Sequence, residues 1–330
     1  MILCAGCGSD VENAGEDDAG IAADAAILLS CGDGVVDDNE LCDDGVNDAL
    51  GGGCLPGCQS EDLTSALFEN DLLEISIEVE SDDWETLRHQ YKTPHEMFLG
   101  TDCRNREIES PYSWFPSTVT VNGTPVASTG IRKMGHIGSQ STVKPSLKIN
   151  FAHFVPGQRF ETVKRFALNN SKGDISYMRS CIAYKAFAAA GIAAPECSYA
   201  HVVVNGQDLG IYFVVEELKS RFLQRNFTEA TGNLYEGTAC DFRPEFIGGF
   251  EQKTNLLSSP VRTDLQAVYD IVQSASDAEF ESQLSAVVNL DEFYRFWAVE
   301  SLLWHRDGYG GNSNNYYIYA NPADDGRFHF

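Results

Sequence analysis

The chain has 330 residues, 43% of them hydrophobic and 11% aromatic, enough to bury one sizeable core or a two-lobed core with a small appendage. Its 23 basic and 49 acidic residues give a net charge of −26, which argues against binding nucleic acid or an anionic membrane through a general field. No apolar run reaches the length of a bilayer-spanning helix.

Residues 1 to 62 hold fifteen Asp and Glu and no Lys or Arg, which marks an acidic tail distinct from the body. Ten cysteines, six of them within the first 58 residues, favour an oxidising compartment. Residues 1–30 read as a truncated export or lipoprotein signal followed by an acidic disordered spacer. A lipidated Cys7 would tether the protein to a membrane; a plain disulfide partner is the alternative. Residues 31–62, with Cys31, Cys42, Cys54 and Cys58 among Gly and Asp, are expected to form a small disulfide-rich segment of undetermined pairing. Its Cys31-Gly32-Asp33-Gly34 and Cys42-Asp43-Asp44-Gly45 runs resemble the myxococcal cysteine-rich repeat of bacterial surface proteins, in one copy. The acids of this segment are expected to be solvated rather than calcium-bound.

Residues 63–330 form the body. Ile75, Ile77 and Val79 alternate with polar residues as a half-buried strand, and Ser81 is expected to cap a short helix through Trp84 and Leu87. Residues 92–117 read as an inserted loop. Strands around Asn122-Gly123 and Asn205-Gly206 predict two hairpins. Between them, residues 131–151 combine glycines, hydroxyls and cations, a pattern that can cradle phosphate while Lys148 or Lys144 reaches the charge, or form a basic strand edge that discourages aggregation. Arg165 to Leu168 is a further strand. A helix opened by Asp174 or Ser176 should bury a face of Met178, Ile182, Ala186 and Ala189, and end at Gly191. The 238–259 stretch reads as irregular, and helices are predicted near 262–275, 278–288 and from a cap at Asp291. Strands thus dominate 72–215 and helices 216–304, an α+β order.

Trp304 to Tyr319 then packs a polar loop against an aromatic strand. His305-Arg306-Asp307 with Asn312 has the H-R-D-x-x-x-x-N spacing of protein-kinase catalytic loops. A carboxylate there can take the proton of an attacking hydroxyl, and a later amide oxygen can help hold a magnesium ion.

In this order, Arg132, Gly138-Ser139, Lys144-Pro145-Ser146-Leu147-Lys148-Ile149, Leu168-Asn169-Asn170, Leu209-Gly210-Ile211-Tyr212, Gly232-Asn233-Leu234-Tyr235 and Asp307 through Asn315-Tyr316-Tyr317 resemble the CotH kinase family. The resemblance implies a two-lobed atypical protein-kinase-like fold, with a strand-rich N-lobe and a helical C-lobe. It also implies transfer of the ATP γ-phosphate to Ser or Thr of a protein substrate, with Mg2+ or Mn2+. By that resemblance Asp307 is the catalytic carboxylate, Arg132 and Lys148 meet the phosphates, Glu216 lies in the hinge near adenine, and Asn312 or Asn315 binds metal. A second metal-binding aspartate is expected beyond Phe330, and Asp324-Asp325-Gly326 reads as a turn. The expected location is extracytoplasmic, as a secreted or lipid-anchored surface protein of a bacterium. A catalytically inactive, surface-anchored binding or structural protein is the alternative reading.

Overall fold

In a computed structural model, the described residues are 54–55, 59–60, 65–69, 72–92, 110–135, 138–244, 246–255 and 262–330. The expected signal, spacer and Cys31–Cys42 part of the cysteine-rich segment lie outside them. Its described remainder is a short antiparallel ladder of β1 (Cys54–Leu55) with β2 (Gln59–Ser60). A four-residue helix, α1 (Ala66–Glu69), follows.

The alternation at Leu73–Val79 produces β3, with Leu73, Ile75, Ile77 and Val79 inward. It leads into α2 (Ser81–His89), whose Trp84 and Leu87 are buried. Seven strands then close a barrel in the order β3-β4-β5-β6-β7-β9-β8: β4 (Trp114–Val121), β5 (Thr124–Met134), β6 (Ser146–Asn150), β7 (Arg165–Asn169), β8 (Cys197–Val204) and β9 (Gln207–Glu216). Both predicted hairpins are present. Asn122 and Gly123 have φ of 47° and 85°, and Asn205 and Gly206 have 49° and 77°. Only residues that tolerate the left-handed region turn these strands so tightly.

Several features depart from, or go beyond, expectation. β4 begins at Trp114, inside the stretch read as loop, because Trp114 to Ser117 pair with the far half of β5. The ring closes by a parallel pairing of β3 with β8, Leu73 opposite Ala200 through Ile77 opposite Val204. The helix after β7, α3 (Arg179–Ala189), exposes the face predicted to be buried: Met178 is 53% and Ile182 52% exposed. Instead, α3 is held by a Cys181–Cys197 disulfide, a Tyr184–Phe213 stack and a Phe187–Phe296 stack. Gly191, at φ 73°, ends it as predicted.

Past β9 come α4 (Ser220–Asn226), α5 (Thr263–Ser274), α6 (Phe280–Leu284) and α7 (Leu290–Leu302). Asn289, not Asp291, caps α7, accepting from the Glu292 amide at 3.2 Å. A second sheet runs β11-β10-β12-β13, made of β10 (Leu234–Gly237), β11 (Phe250–Gln252), β12 (Tyr316–Asn321) and β13 (Arg327–His329). β11 falls in the stretch expected to be irregular. Asp325 and Gly326 turn between β12 and β13 with φ of 53° and 74°. The protein is therefore mixed α+β, with one apolar core inside the barrel and another between the second sheet and helices α5 and α7.

The disulfide closes a loop with a sequence separation of 16. Cys181→Ser is expected to lower stability by about 3 kcal/mol, the loop-entropy magnitude for such a span. Urea unfolding with and without a thiol reductant checks this: the reductant should destabilise the wild type by about that much more than the variant.

Candidate functional site

The Asp307 loop is built on the end of α7. Glu300, 3% exposed, accepts from the Tyr309 and Gly310 amides at 3.0 Å each, and His305 Nδ1 lies 3.0 Å from its Oε1. These contacts fold the chain back over the helix terminus and into a single turn, α8 (Tyr309–Asn312). Space dictates the glycines. A Cβ on Gly308 would lie 2.0 Å from Glu300 Oε1, and one on Gly311 would lie 2.1 Å from the Arg306 carbonyl oxygen.

On the solvent side of this turn, Asp307 is ringed by amides. Asn312 Nδ2 donates to its Oδ1 at 2.8 Å and Asn314 Nδ2 to the same atom at 3.3 Å. Asn315 Nδ2 donates to Oδ2 at 3.0 Å and to the Asp307 carbonyl at 2.9 Å. Both asparagines singled out from the sequence therefore touch the carboxylate, and Asn314, which the spacing rule does not mark, joins them. Asn314 uses its carbonyl end as well, accepting from the Ala239 amide at 3.2 Å. Asn312 and Asn315 are thus the better placed to offer an amide oxygen to a cation. Among the described residues no cluster of three or more His, Cys, Asp or Glu forms a metal site.

The second group of predicted residues lies on the outer face of the barrel. Trp114, Arg132, Lys148 and Ala167 are successive cross-strand neighbours on β4, β5, β6 and β7. Arg132 is 3% exposed, with its guanidinium 4.9 Å from the Trp114 ring centroid, and its Nε and Nη2 have no hydrogen-bond partner among the described residues. A buried guanidinium with unmatched donors is costly unless a ligand completes it. Lys144, the other cation considered for phosphate, is committed elsewhere: its Nζ donates to the Ile211 carbonyl at 2.5 Å between the Tyr177 and Tyr212 rings. Glu216 is 2% exposed at the end of β9, its carboxylate bound by Arg221 and by Arg225 Nη2 at 2.6 Å. Its side chain fixes the departure of the chain from the barrel.

β10 and β12 adjoin the Asp307 loop. Burial opposes ionisation of Glu236 on β10, but Lys253 and, after it, half-buried Lys148 keep its pKa below the ordinary value. Glu236 is paired in register with Tyr317, the next side chain but one after Asn315 along the chain. From the other side, Ser313 Oγ donates to Asp241 Oδ2 at 3.1 Å, just beyond β10. The Asp307 loop therefore leads into the end of the second sheet where Tyr316 pairs with Gly237. A cavity of about 660 Å3 lies alongside, lined by Arg179, Tyr184, Phe187, Leu218, His305 and Asn315 among others.

Two histidines in this region pair with carboxylates. The hydrogen bond to Glu300 raises the His305 pKa, against a lowering effect of burial. At His329 burial alone would lower the pKa, but Glu292, 2.5 Å from Nδ1, and Asp324, 2.9 Å from Nε2, outweigh it and raise the value. Burial likewise opposes ionisation of Asp324, yet Arg327 and His329 hold its pKa below the ordinary value. A raised histidine contributes its stability in full below its ordinary value of 6.5 and loses it as pH rises through the folded value. The depressed Asp324 contributes above its ordinary 3.8 and loses that as pH falls through its folded value. Thermal melts should therefore peak in mild acid and decline as pH rises past about 7. His329→Gln should flatten that decline in part, with His201, raised by Glu74 and Asp208, and His305 supplying the rest.

Residues 131–330, which hold both groups, match the profile of the CotH kinase protein family. The chain belongs to that family. It is also 22% identical over 177 residues to the inner spore coat protein H of Bacillus subtilis (strain 168). That match covers 50% of this chain and 48% of the relative, so the chain spans about half the length of the curated protein it resembles. The CotH match begins at Ile131, on the strand that carries Arg132, and takes in Lys148, Glu216, Asp307, Asn312 and Asn315. No helix among the described residues is long and apolar enough to cross a membrane.

Proposed function

We propose that this chain is an exported, CotH-type protein kinase that transfers the γ-phosphate of ATP to Ser or Thr of a protein substrate, on a two-lobed scaffold in which the barrel is one half. The observation that carries the reading is the Asp307 carboxylate, oriented by three asparagine amides at the entry to β12. In this reading Asp307 accepts the proton of the substrate hydroxyl as its oxygen attacks phosphorus. Arg132 and Lys148 bind the phosphate oxygens, and the two unmatched Arg132 donors support an anion there. Asn312 or Asn315 would help hold Mg2+ or Mn2+, which neutralises charge on the phosphates. The Cys181–Cys197 disulfide supports maturation in an oxidising, extracytoplasmic compartment at a bacterial surface. The name of the spore coat relative supports a surface setting as well.

Arg132→Met tests the phosphate role. Because the substitution removes unsatisfied buried donors, the melting temperature should stay level or rise. Stabilisation by Mg-ATP should disappear, and phosphoryl transfer should fall about 100-fold. A variant that keeps the wild-type response to nucleotide would overturn the assignment. A wild type that neither responds to nucleotide nor labels a Ser/Thr protein would instead favour the inactive surface-anchored scaffold.

A further inference from the structure

Of the side chains on α3, only that of Cys181 is buried. A helix with so little surface in the core has little hydrophobic reason to stay on the barrel, and Ile182 and, just ahead of the helix, Met178 are open to water. What holds α3 is divided along its length. The C-terminal half is attached to α7, through the Phe187–Phe296 stack with centroids 5.6 Å apart and through Arg295 Nη1, which donates to the Ala190 carbonyl at 3.0 Å. The N-terminal half is fixed to the barrel by the Cys181–Cys197 bond and by the Tyr184–Phe213 stack at 6.0 Å. Its first turn is capped from within the same segment, since Asp174 accepts from the Arg179 amide at 3.0 Å and pairs with the Arg179 side chain.

This half of the helix forms part of the wall of the cavity of about 660 Å3: Arg179, Ile182, Ala183 and Tyr184 line it together with His305 and Asn315. Asn315 is the residue whose amide meets Asp307 Oδ2, and His305 the one bound to Glu300. The covalent bond to β8 thus sets where that wall stands relative to the loop that carries Asp307. We infer that the Cys181–Cys197 disulfide is a redox control on this site. Oxidised, it seats the N-terminal half of α3 on the barrel and completes the cavity beside the Asp307 loop. Reduced, that half loosens about the Phe187 and Arg295 anchors, and the cavity opens. A chain so built is idle where thiols are kept reduced and competent where disulfides form. The inference rests on the phosphoryl-transfer reading for what the cavity serves; the movement of α3 does not depend on it.

The step balances with a dithiol as reductant. One thiolate of the reagent attacks the sulfur of half-buried Cys197 in preference to buried Cys181, and the electron pair of the S–S bond leaves on Cys181 Sγ, which takes a proton. The second thiolate of the reagent then displaces Cys197, which is protonated in turn. The protein gains two electrons and two protons as two thiols, and the reagent becomes a disulfide.

The test uses the full chain in oxidised, dithiol-reduced and reoxidised forms. At labelling times short enough that residues 200–204 of β8 stay protected in every form, amide exchange over residues 180–186 should rise about tenfold or more on reduction, and over 188–192 by less than about threefold. The kcat/KM for Mg-ATP should fall about tenfold or more and return on reoxidation. Differential alkylation read by mass spectrometry assigns the effect: activity should be lost in step with labelling of Cys181 and Cys197, not of the N-terminal cysteines. A Cys181→Ala/Cys197→Ala double variant should behave as the reduced protein with or without the dithiol, and the alkylation series makes the same assignment if that variant does not fold. Exchange over 180–186 that reduction leaves unmoved, a loss of activity that follows other cysteines, or a loosened α3 with kcat/KM unchanged overturns the inference. Faster exchange in α3, traced to Cys181 and Cys197, in a protein that transfers no phosphate in any form supports the control of α3 and overturns the phosphoryl-transfer reading alone.

Discussion

Asp307→Asn is expected to lower phosphoryl transfer by about 1000-fold, the scale of removing a positioned general base, while leaving the melting temperature nearly unchanged. The substitution keeps the shape of the side chain but replaces an acceptor-only carboxylate with an amide that cannot satisfy donors from Asn312, Asn314 and Asn315 simultaneously. Because the group is exposed, water can take up the unmatched donors, so the loss should fall on chemistry and not on folding. Nucleotide-induced stabilisation should persist within about twofold in apparent affinity, since Arg132 and Lys148 are untouched. A variant retaining more than about a tenth of wild-type kcat would remove Asp307 from the catalytic role. Asn312→Ala and Asn315→Ala, compared under Mg2+ titration, then separate the two amides: the one that holds metal should shift the concentration needed for half-maximal activity.

The largest loss of stability is expected at Glu300→Ala. This substitution strips the acceptors from the Tyr309 and Gly310 amides and from His305 at a position 3% exposed, where water cannot readily replace them. The expected cost is about 3 kcal/mol or more, read from the urea midpoint at unchanged m-value. Activity should fall with it, because the same contacts set the direction in which Asp307 leaves the helix. Gly308→Ala reaches the same point sterically, forcing Glu300 out of contact with a Cβ that would stand 2.0 Å from its Oε1. An unchanged midpoint in both variants would mean that the loop is held by something other than this carboxylate.

What the sequence discloses and what it conceals divide along range in the chain. Asn-Gly turns, the alternation of Leu73–Val79 and the Gly191 helix stop are local demands on backbone angles or faces, and each is met. Closure of the barrel is not a local property. Nothing in Leu73 announces Ala200, and an alternating strand pairs equally well with a parallel or an antiparallel neighbour. On α3, periodicity marks an apolar stripe without saying which stripe is covered. Cys181, Tyr184 and Phe187 anchor the helix, and Met178 and Ile182 look outward. The site divides likewise. Asp307 and Asn312 can be found from their spacing, and Asn312 and Asn315 both donate to the Asp307 carboxylate. Asn314, Glu300 and the Glu236–Lys253–Glu251 cluster carry no spacing signature, because register between strands and a helix terminus brings them together.

The parallel closure of the barrel also bears on how the chain acquires its shape. During synthesis, β3 must wait for β8, with the apolar side chains of Ile75 and Ile77 and an open strand margin exposed to whatever is nearby. Contacts this remote in the chain make for slow ring closure. Cys197, the first residue of β8, bonds to Cys181, so oxidation and shutting of the ring fall at the same late point in the chain. A nascent chain of this kind therefore keeps an unfinished ring until that strand has emerged.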